Sequence, residues 1–519
     1  MTLLVASIAE ESLDAIRQRA AEAFTSGADA VEIRIDSYAG DAAELASFLK
    51  EHSQRTYIVT SRSCNEGGFD ERPADRRAAA LAAVSADTNV YIDFELTDWM
   101  QCQDIHETLG IASAPTEGNS HRLILSTHDF SGVPAELAAT ATRMINIPDV
   151  AAGKVAYSPA DINDSFPALD LLYEHGQRLA AICMDYCGLW SRVLAKKLGG
   201  FASYCALDKA STTAPGQLTL DETIQLYRWP AIDSSTKVFG VVGDPVKHSM
   251  SPVLFNRWFA DAKVNAVYLP LQVTGSRSAV ERFLRGCVAR PWLDVTGLSV
   301  TLPHKTAALE WVGQGADYRA RTIGATNTVV FRKGQATCHN TDWYAAVDSL
   351  AGALGCSRTD LSRVSVDVLG TGGAAKAVVA GLRDVGAQVT VFGRAADRTR
   401  RLAEQFDCRA EEWATRAQRR GEVLINCTNV GMWPDVDEAP MPPDTLEGCR
   451  LVFDLIYNPL ETRLLRQAAA TGAGTLSGLE MFIRQAAAQF ELWTSKRPDV
   501  RTARELIRRA IQPHVENEP

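Results

Sequence analysis

Residues 368–376 read VLGTGGAAK: the apolar end of a strand, a glycine-rich turn, then helix formers. Gly370, Gly372 and Gly373 allow the backbone to approach a pyrophosphate at a helix N-terminus, where unpaired N–H groups and the helix dipole favour an anion. The next strand, QVTVFGRAADR, ends on Arg394, with Arg398 four residues later. A site for NAD usually places a carboxylate at that strand end to accept ribose hydroxyl bonds; two cations suit a ribose 2′-phosphate and favour NADP. The same arginines could be ordinary helix-surface residues. A second group lies far upstream. Glu32 and Arg34, Arg62 and Glu66, His128 and Lys154 fall where apolar runs end. One such residue alone is often a turn former. Converging on one rim, carboxylates, an imidazole and an amine can do acid–base and nucleophilic chemistry.

These residues need a scaffold. The first 228 residues contain eight short β-type runs, at 3–9, 30–35, 57–61, 91–96, 123–130, 154–158, 179–185 and 201–207. Between most of them lie stretches such as DAAELASFLK and ADRRAAALAAV, with apolar residues at helical spacing. Eight strands alternating with helices predict a (β/α)8 TIM barrel over residues 1–228, with its site at the C-terminal strand ends. The polar connection IDSSTK (232–237) precedes a new strand pattern at FGVVGDP. Residues 238–340 read as mixed α/β and 343–475 as a Rossmann-type dinucleotide unit. The helical stretch GLEMFIRQAAAQFELW (478–493), within 476–515, is expected to pack back on the 238–340 unit.

A chain of 519 residues suggests about three to four domains. Its 46% hydrophobic and 22% charged residues are those of a globular protein with ample core. The formal charge of −10 argues against bulk binding to nucleic acid or anionic membranes, so local arginines must capture any anionic substrate. The eleven cysteines are scattered. Only Cys183 and Cys187 lie close, with no histidine near enough for zinc, so reduced thiols and no metal site are expected. The opening MTLLVASIAEESLD carries acids and runs directly into a strand, unlike a signal or transit peptide. No apolar run approaches the ~18 residues of a membrane span. The expectation is a cytoplasmic protein, monomeric rather than oligomeric, with no membrane or nucleic-acid partner.

VEIRID, TSRSCNEGG, LSTHDF, GKVAYSP and ASTTAPGQ occur in that order, and through them residues 1 to about 228 resemble type I 3-dehydroquinate dehydratases. Removing water from a β-hydroxy ketone takes a proton α to the carbonyl, and the carbanion needs an electron sink. A lysine Schiff base supplies one. The resemblance gives that role to Lys154, whose amine must be uncharged to attack; burial or nearby cations would favour this. It makes His128 the general acid/base and Glu66 the acid that orients it. Arg192 matches a carboxylate-clamping arginine. Gln217 matches a second substrate contact, and Thr213 stands where some members have serine. Glu32, Arg34 and Arg62 match a polar ring around the substrate hydroxyls; Arg34 and Arg62 could equally be a structural ion-pair network with Glu32.

GVVGDPVKHSMSP, SVTLPHK, GATNTVV, NTDW, the glycine turn, INCTNVGMWP and MFIRQAA make residues 238 to about 510 resemble shikimate dehydrogenases. By that resemblance Ser249 and Ser251 bind the substrate carboxylate, and Thr301, Asn327 and Gln485 contact the ring hydroxyls. Lys305 and Asp342 match the catalytic pair, since ketone reduction needs a hydride on one side and a proton for the developing alkoxide. Two positions depart from the family pattern. Phe255-Asn256 replaces the common His-Asn, and Ser299 stands where asparagine is common. Both bear on the preference for shikimate over quinate.

Together the halves resemble bifunctional 3-dehydroquinate dehydratase/shikimate dehydrogenases. Such an enzyme would convert 3-dehydroquinate to 3-dehydroshikimate, then reduce that to shikimate with NADP(H) and no metal. Two alternatives remain at this point: a dehydratase fused to an NAD-dependent quinate dehydrogenase, and a non-catalytic quinate-sensing regulator. Retention of Lys154, His128, Lys305 and Asp342 argues against the sensor, and Arg394 against NAD.

Overall fold

Runs of valine, isoleucine, leucine and alanine bounded by turn residues form eight parallel strands in the first part of the computed structural model, which describes residues 1–85, 88, 90–101, 103–109 and 122–511. They are β1 (Leu3–Ile8), β2 (Ala30–Arg34), β3 (Thr56–Thr60), β4 (Tyr91–Glu95), β5 (Leu123–Asp129), β6 (Val150–Tyr157), β7 (Leu179–Cys183) and β8 (Ala202–Ala206). The sheet order is β7-β6-β5-β4-β3-β2-β1-β8. At the seam between β7 and β8, the Phe201 N–H donates to the Leu179 carbonyl at 2.9 Å, leaving a nearly closed barrel. Every one of the eight sequence-derived runs overlaps a strand.

Side chains alternate across each strand, so one set faces the helices and the other fills the barrel. Ile8, Val31, Ile33, Val59, Phe94, Leu125 and Val155 belong to the outer core. Val5, Ala30, Ile58, Ile124, Ala180, Ala202 and Tyr204 form the inner one. Two residues further along the strands, the interior changes character. Ser7 follows Val5, Glu32 follows Ala30, Thr60 follows Ile58 and Ser126 follows Ile124. Lys154 pairs in register with Ser126 and joins this polar layer. The apolar floor ends where the chemistry begins.

The first unit covers Met1–Thr236 with Leu271–Thr274, and the second Lys237–Pro270 with Gly275–Pro519. The first thus runs past the expected boundary at 228. A 3-10 turn at Trp229–Ala231 carries the tail, and Lys196 Nζ holds it through the Trp229 and Pro230 carbonyls at 2.9 and 3.1 Å.

In the second unit, β9 (Lys237–Gly243), β10 (Ala266–Gln272), β11 (Val295–Val300), β12 (Thr328–Arg332) and β13 (Gln335–His339) form a mixed sheet of order β10-β9-β11-β12-β13. A second sheet follows: β14 (Ser365–Leu369), β15 (Gln388–Gly393), β16 (Arg409–Glu412), β17 (Val423–Asn426), β18 (Leu451–Asp454) and β19 (Gly474–Ser477). Its parallel order, β16-β15-β14-β17-β18-β19, is the doubly wound arrangement whose strand order reverses at β14. Here β19 extends two residues beyond the expected boundary at 475.

The helix Leu479–Thr494 buries Phe482, Ile483, Ala486, Gln489, Phe490 and Trp493, a helical three-and-four spacing. It lies on the mixed sheet. Gln489 Nε2 donates to the Asn327 carbonyl at 2.8 Å, and the Trp493 indole N–H to the Val329 carbonyl at 3.2 Å. Phe255 belongs to the aromatic core beside this helix, stacked on Tyr268 with centroids 4.4 Å apart. Its departure from histidine is therefore a packing feature.

Candidate active sites

Within the barrel, Glu32, Arg34, Arg62, Glu66, His128, Lys154, Arg192, Thr213 and Gln217 line one cavity. All nine residues expected there from the sequence are brought together. Lys154 Nζ lies 3.0 Å from Asp93 Oδ2 and 3.3 Å from Glu32 Oε1. The nearest charged partners of the amine are thus carboxylates, not the cations that were one expected means of keeping it neutral. Glu32 is fixed by the hydroxyls of Ser7 and Thr60 at 2.6 and 2.8 Å. Burial opposes its ionisation, yet Lys154 holds its pKa below the ordinary value. Asp93 behaves alike: burial disfavours the charge, but Arg62 and then Lys154 hold its pKa low.

Arg34 and Arg62 are both ion-paired, though not to Glu32. Arg34 forks onto Asp36 at 2.9 and 2.6 Å. Arg62 donates to Asp93 at 2.5 Å and to Ser126 Oγ at 2.7 Å, with Glu95 at 3.4 Å and Glu66 at 3.6 Å. The carboxylates that answer these arginines, Asp36, Asp93 and Glu95, went unassigned in the sequence. YIDFEL did carry a signal for two of them. Asp93 and Glu95 occupy alternate positions of an apolar run, so both point one way, and buried carboxylates require partners.

His128 Nδ1 lies 2.9 Å from Glu66 Oε2, and the same oxygen accepts the His128 backbone N–H at 3.1 Å. That double contact fixes the ring. Burial, then the cations Arg62 and Lys154, push the imidazole pKa well below its ordinary value, so the ring is neutral near pH 7 and able to accept a proton. Burial pushes the Glu66 carboxyl up to about 8 against the pull of Arg62.

Arg192 is 3% exposed and makes no ion pair among the described residues. Its terminal nitrogens reach only the Tyr204 and Pro215 carbonyls, at 3.5 and 3.3 Å, and Nε has no partner. Burial lowers its pKa to about 10, which leaves it a cation. A buried guanidinium facing a cavity without a counter-ion is a site for an anionic group. Beside it, Gln217 Oε1 accepts the Thr213 N–H at 2.9 Å and its hydroxyl at 3.2 Å.

A larger cavity in the second unit is lined by Ser249, Ser251, Thr301, Lys305, Asn327, Asp342 and Gln485, again every residue expected there. Lys305 Nζ lies 2.6 Å from Asp342 Oδ2. The other carboxylate oxygen accepts from Asn327 Nδ2 at 2.9 Å, and the Asp342 backbone N–H donates to Asn340 Oδ1 at 3.0 Å. Asn327 Nδ2 also faces Gln485 Oε1 at 3.4 Å. Tyr457, absent from the sequence reading, hydrogen-bonds Ser249 and lines the same cavity. Ser299 accepts from Tyr268 at 2.6 Å and donates to Gln489 at 2.7 Å, so this second departure joins the cavity floor.

Gly370 leaves β14 with φ +110°, a conformation that favours glycine. The helix Gly373–Asp384 then starts against Lys305: a Cβ on Gly373 would sit 2.9 Å from Lys305 Cδ. Space beside Gly372 is open, and Ala374 lines the Lys305 cavity. Arg394 and Arg398 are exposed past the end of β15 and make no ion pair among the described residues. An open glycine turn at a helix start, with Arg394 just past the neighbouring strand and Arg398 in the first turn of the helix Ala396–Phe406 that follows, fits a phosphate-bearing dinucleotide. Among the described residues, no helix is long and apolar enough to cross a membrane.

Comparison with known proteins places each half of the chain in a family. Residues 4–234 match the type I 3-dehydroquinase family, 241–329 the shikimate dehydrogenase substrate binding domain, and 478–508 the shikimate 5′-dehydrogenase C-terminal domain. Over 512 residues, 95% of this chain and 82% of its relative, the sequence is 32% identical to the chloroplastic bifunctional 3-dehydroquinate dehydratase/shikimate dehydrogenase of Arabidopsis thaliana. The chain belongs to this bifunctional family. Shorter relatives include the shikimate dehydrogenase (NADP(+)) of Methanocella arvoryzae, 38% identical over 281 residues, which are 52% of this chain and 99% of that one. Among solved structures, Thermus thermophilus shikimate 5-dehydrogenase in complex with NADP(H) and shikimate is 33% identical. The match covers 53% of this chain and 100% of that chain, with a TM-score of 0.47. The first cavity lies in the dehydratase half of the chain and the second in the dehydrogenase half.

The raised Glu66 pKa has a consequence for stability. The folded dehydratase half keeps a proton that the unfolded chain releases above about pH 4.3. This contribution is fully present below that value and is lost as pH rises through about 8. Glu66→Gln abolishes the titration. Urea midpoints at roughly pH 5, 7 and 9 should show wild type losing ground steadily to Glu66→Gln; a difference constant with pH contradicts the assignment.

Proposed function

We propose that the two cavities perform consecutive reactions: dehydration of 3-dehydroquinate to 3-dehydroshikimate in the barrel, then NADPH-dependent reduction of that product to shikimate in the second unit. One observation carries this reading. Lys154, the His128–Glu66 pair and the counter-ion-less Arg192 line one cavity, while Lys305–Asp342 lines another.

In the first, Arg192 takes the substrate carboxylate, with Gln217 and Thr213 beside it. Glu32, Arg34 and Arg62 surround the hydroxyls. Lys154 condenses with the ketone, and the resulting iminium accepts the electrons freed when neutral His128 removes the α-proton. The same imidazole, now charged, returns a proton to the departing hydroxyl. Glu66 holds the ring in register through both transfers.

In the second, Ser249 and Ser251 receive the carboxylate, and Thr301, Asn327 and Gln485 the ring hydroxyls. When bound, NADPH supplies a hydride to the ketone carbon. Lys305 holds the ketone oxygen and gives it a proton, while Asp342, fixed by Asn327 and by its own backbone bond to Asn340, sets the amine in place. Gly370, Gly372 and Gly373 would carry the pyrophosphate, and Arg394 and Arg398 the 2′-phosphate. That neither arginine is ion-paired among the described residues supports NADP over NAD, and with it a shikimate rather than a quinate dehydrogenase. A sensor would need none of the lysine chemistry. The reading includes cytoplasmic small-molecule catalysis by a monomer without metal.

Borohydride added with 3-dehydroquinate should trap a covalent adduct on Lys154, located by peptide mass mapping; an unmodified Lys154 in enzyme that still dehydrates contradicts the Schiff-base role. Arg394→Asp should raise KM for NADPH by ~10-fold or more while leaving KM for NADH nearly unchanged, because it replaces an attraction by a repulsion at the 2′-phosphate alone. Equal effects on both cofactors would make Arg394 a surface residue.

A further inference from the structure

Tyr204 stands on β8 opposite Val5, with its side chain in the barrel interior. Lys154 Nζ lies over its ring, 4.1 Å from the centroid. The residue is 4% exposed and lines the cavity that holds Lys154, His128 and Arg192. Ring packing and the cation–π contact need only a phenyl group. The hydroxyl needs another explanation. It is buried and has no hydrogen-bond partner among the described residues, an arrangement that costs stability for no structural return. Burial, then Glu32 and Asp93, push the phenol pKa well above 10, so it remains a proton donor at neutral pH.

We propose that Tyr204 is a further catalytic residue of the dehydratase half, its hydroxyl serving the ketone oxygen while Lys154 forms the Schiff base. The proposal rests on the Schiff-base reading of this cavity. Condensation moves two protons from the lysine nitrogen to the departing oxygen. Glu32, 3.3 Å from Nζ, takes the first. The nitrogen lone pair then forms the C–N bond, the carbonyl π pair moves onto oxygen, and that oxygen takes the Tyr204 proton. The phenolate recovers its proton from Glu32 across the new carbinolamine hydroxyl, which accepts from Glu32 as it donates to the phenolate. By the same relay the second N–H proton reaches the carbinolamine hydroxyl. The C–O bond breaks with its electron pair leaving on water, and the nitrogen lone pair closes the C=N bond.

Tyr204→Phe in the full chain tests this, because it keeps the ring and removes only the hydroxyl. The rate of borohydride-trapped adduct formation with 3-dehydroquinate and the kcat for dehydration should both fall by ~10- to 10²-fold, the scale of a lost proton donor. KM should stay within about twofold, the thermal midpoint should be unchanged or higher, and reduction of added 3-dehydroshikimate should be untouched. An unchanged trapping rate or kcat overturns the proposal. A slowed variant with a lowered thermal midpoint also overturns it, since the hydroxyl would then be a structural partner. If wild type dehydrates without forming an adduct, the Schiff-base reading beneath it fails instead.

Discussion

Each half of the chain holds a lysine amine against a buried aspartate, at 3.0 Å for Lys154–Asp93 and 2.6 Å for Lys305–Asp342. Buried charges of this kind persist only when both members are paired and the remaining lone pairs are satisfied. That requirement organises the surroundings. In the barrel it recruits Arg62 and Ser126 to Asp93, and Ser7 and Thr60 to Glu32. In the second unit it recruits Asn327 to Asp342. The amines are the movable members of otherwise fixed clusters, which suits groups that must exchange protons with a substrate.

The same requirement explains why each site stands where it does. Inside the barrel, polar residues stand towards the C-terminal ends of the strands, above an apolar layer of Val5, Ala30, Ile58 and Ile124. In the second unit, Lys305 packs against the start of the helix at Gly373, so a side chain there would push the lysine out of place. The glycine turn and Lys305 are thus parts of one packing arrangement.

Much of this was legible in the sequence, for specific reasons. Strand runs such as AVEIRI and YIVTS are short, apolar and β-branched, and they marked β2 and β3 with little error. Motif residues such as His128, Lys305 and Asp342 could be named from their motifs, and the structure sets His128 against Glu66 and Lys305 against Asp342. Their partners were harder to read. Asp36, Asp93 and Glu95 answer arginines rather than substrate, and no local pattern says which of several carboxylates an arginine will meet. An ion-pair network of Arg34 and Arg62 with Glu32 was one of two readings, whereas Arg34 meets Asp36 and Arg62 meets Asp93. Tyr204 was not singled out within the run 201–207. Phe255 and Ser299 stood out as departures, but only packing shows that one stacks on Tyr268 and the other bridges Tyr268 to Gln489.

The central claim is two independent lysine-based sites on one chain, and Lys305→Ala supplied with 3-dehydroquinate and NADPH tests it most directly. Absorbance of the conjugated enone and of the nicotinamide, followed together, should show 3-dehydroshikimate accumulating at the wild-type rate. Shikimate formation should fall by at least ~10²-fold, the scale of a lost proton-transfer group. Lys154→Ala should show the converse, with no turnover of 3-dehydroquinate but normal reduction of added 3-dehydroshikimate. If either substitution abolished both activities in a chain folded by circular dichroism, the two sites would be one, and the account would be wrong.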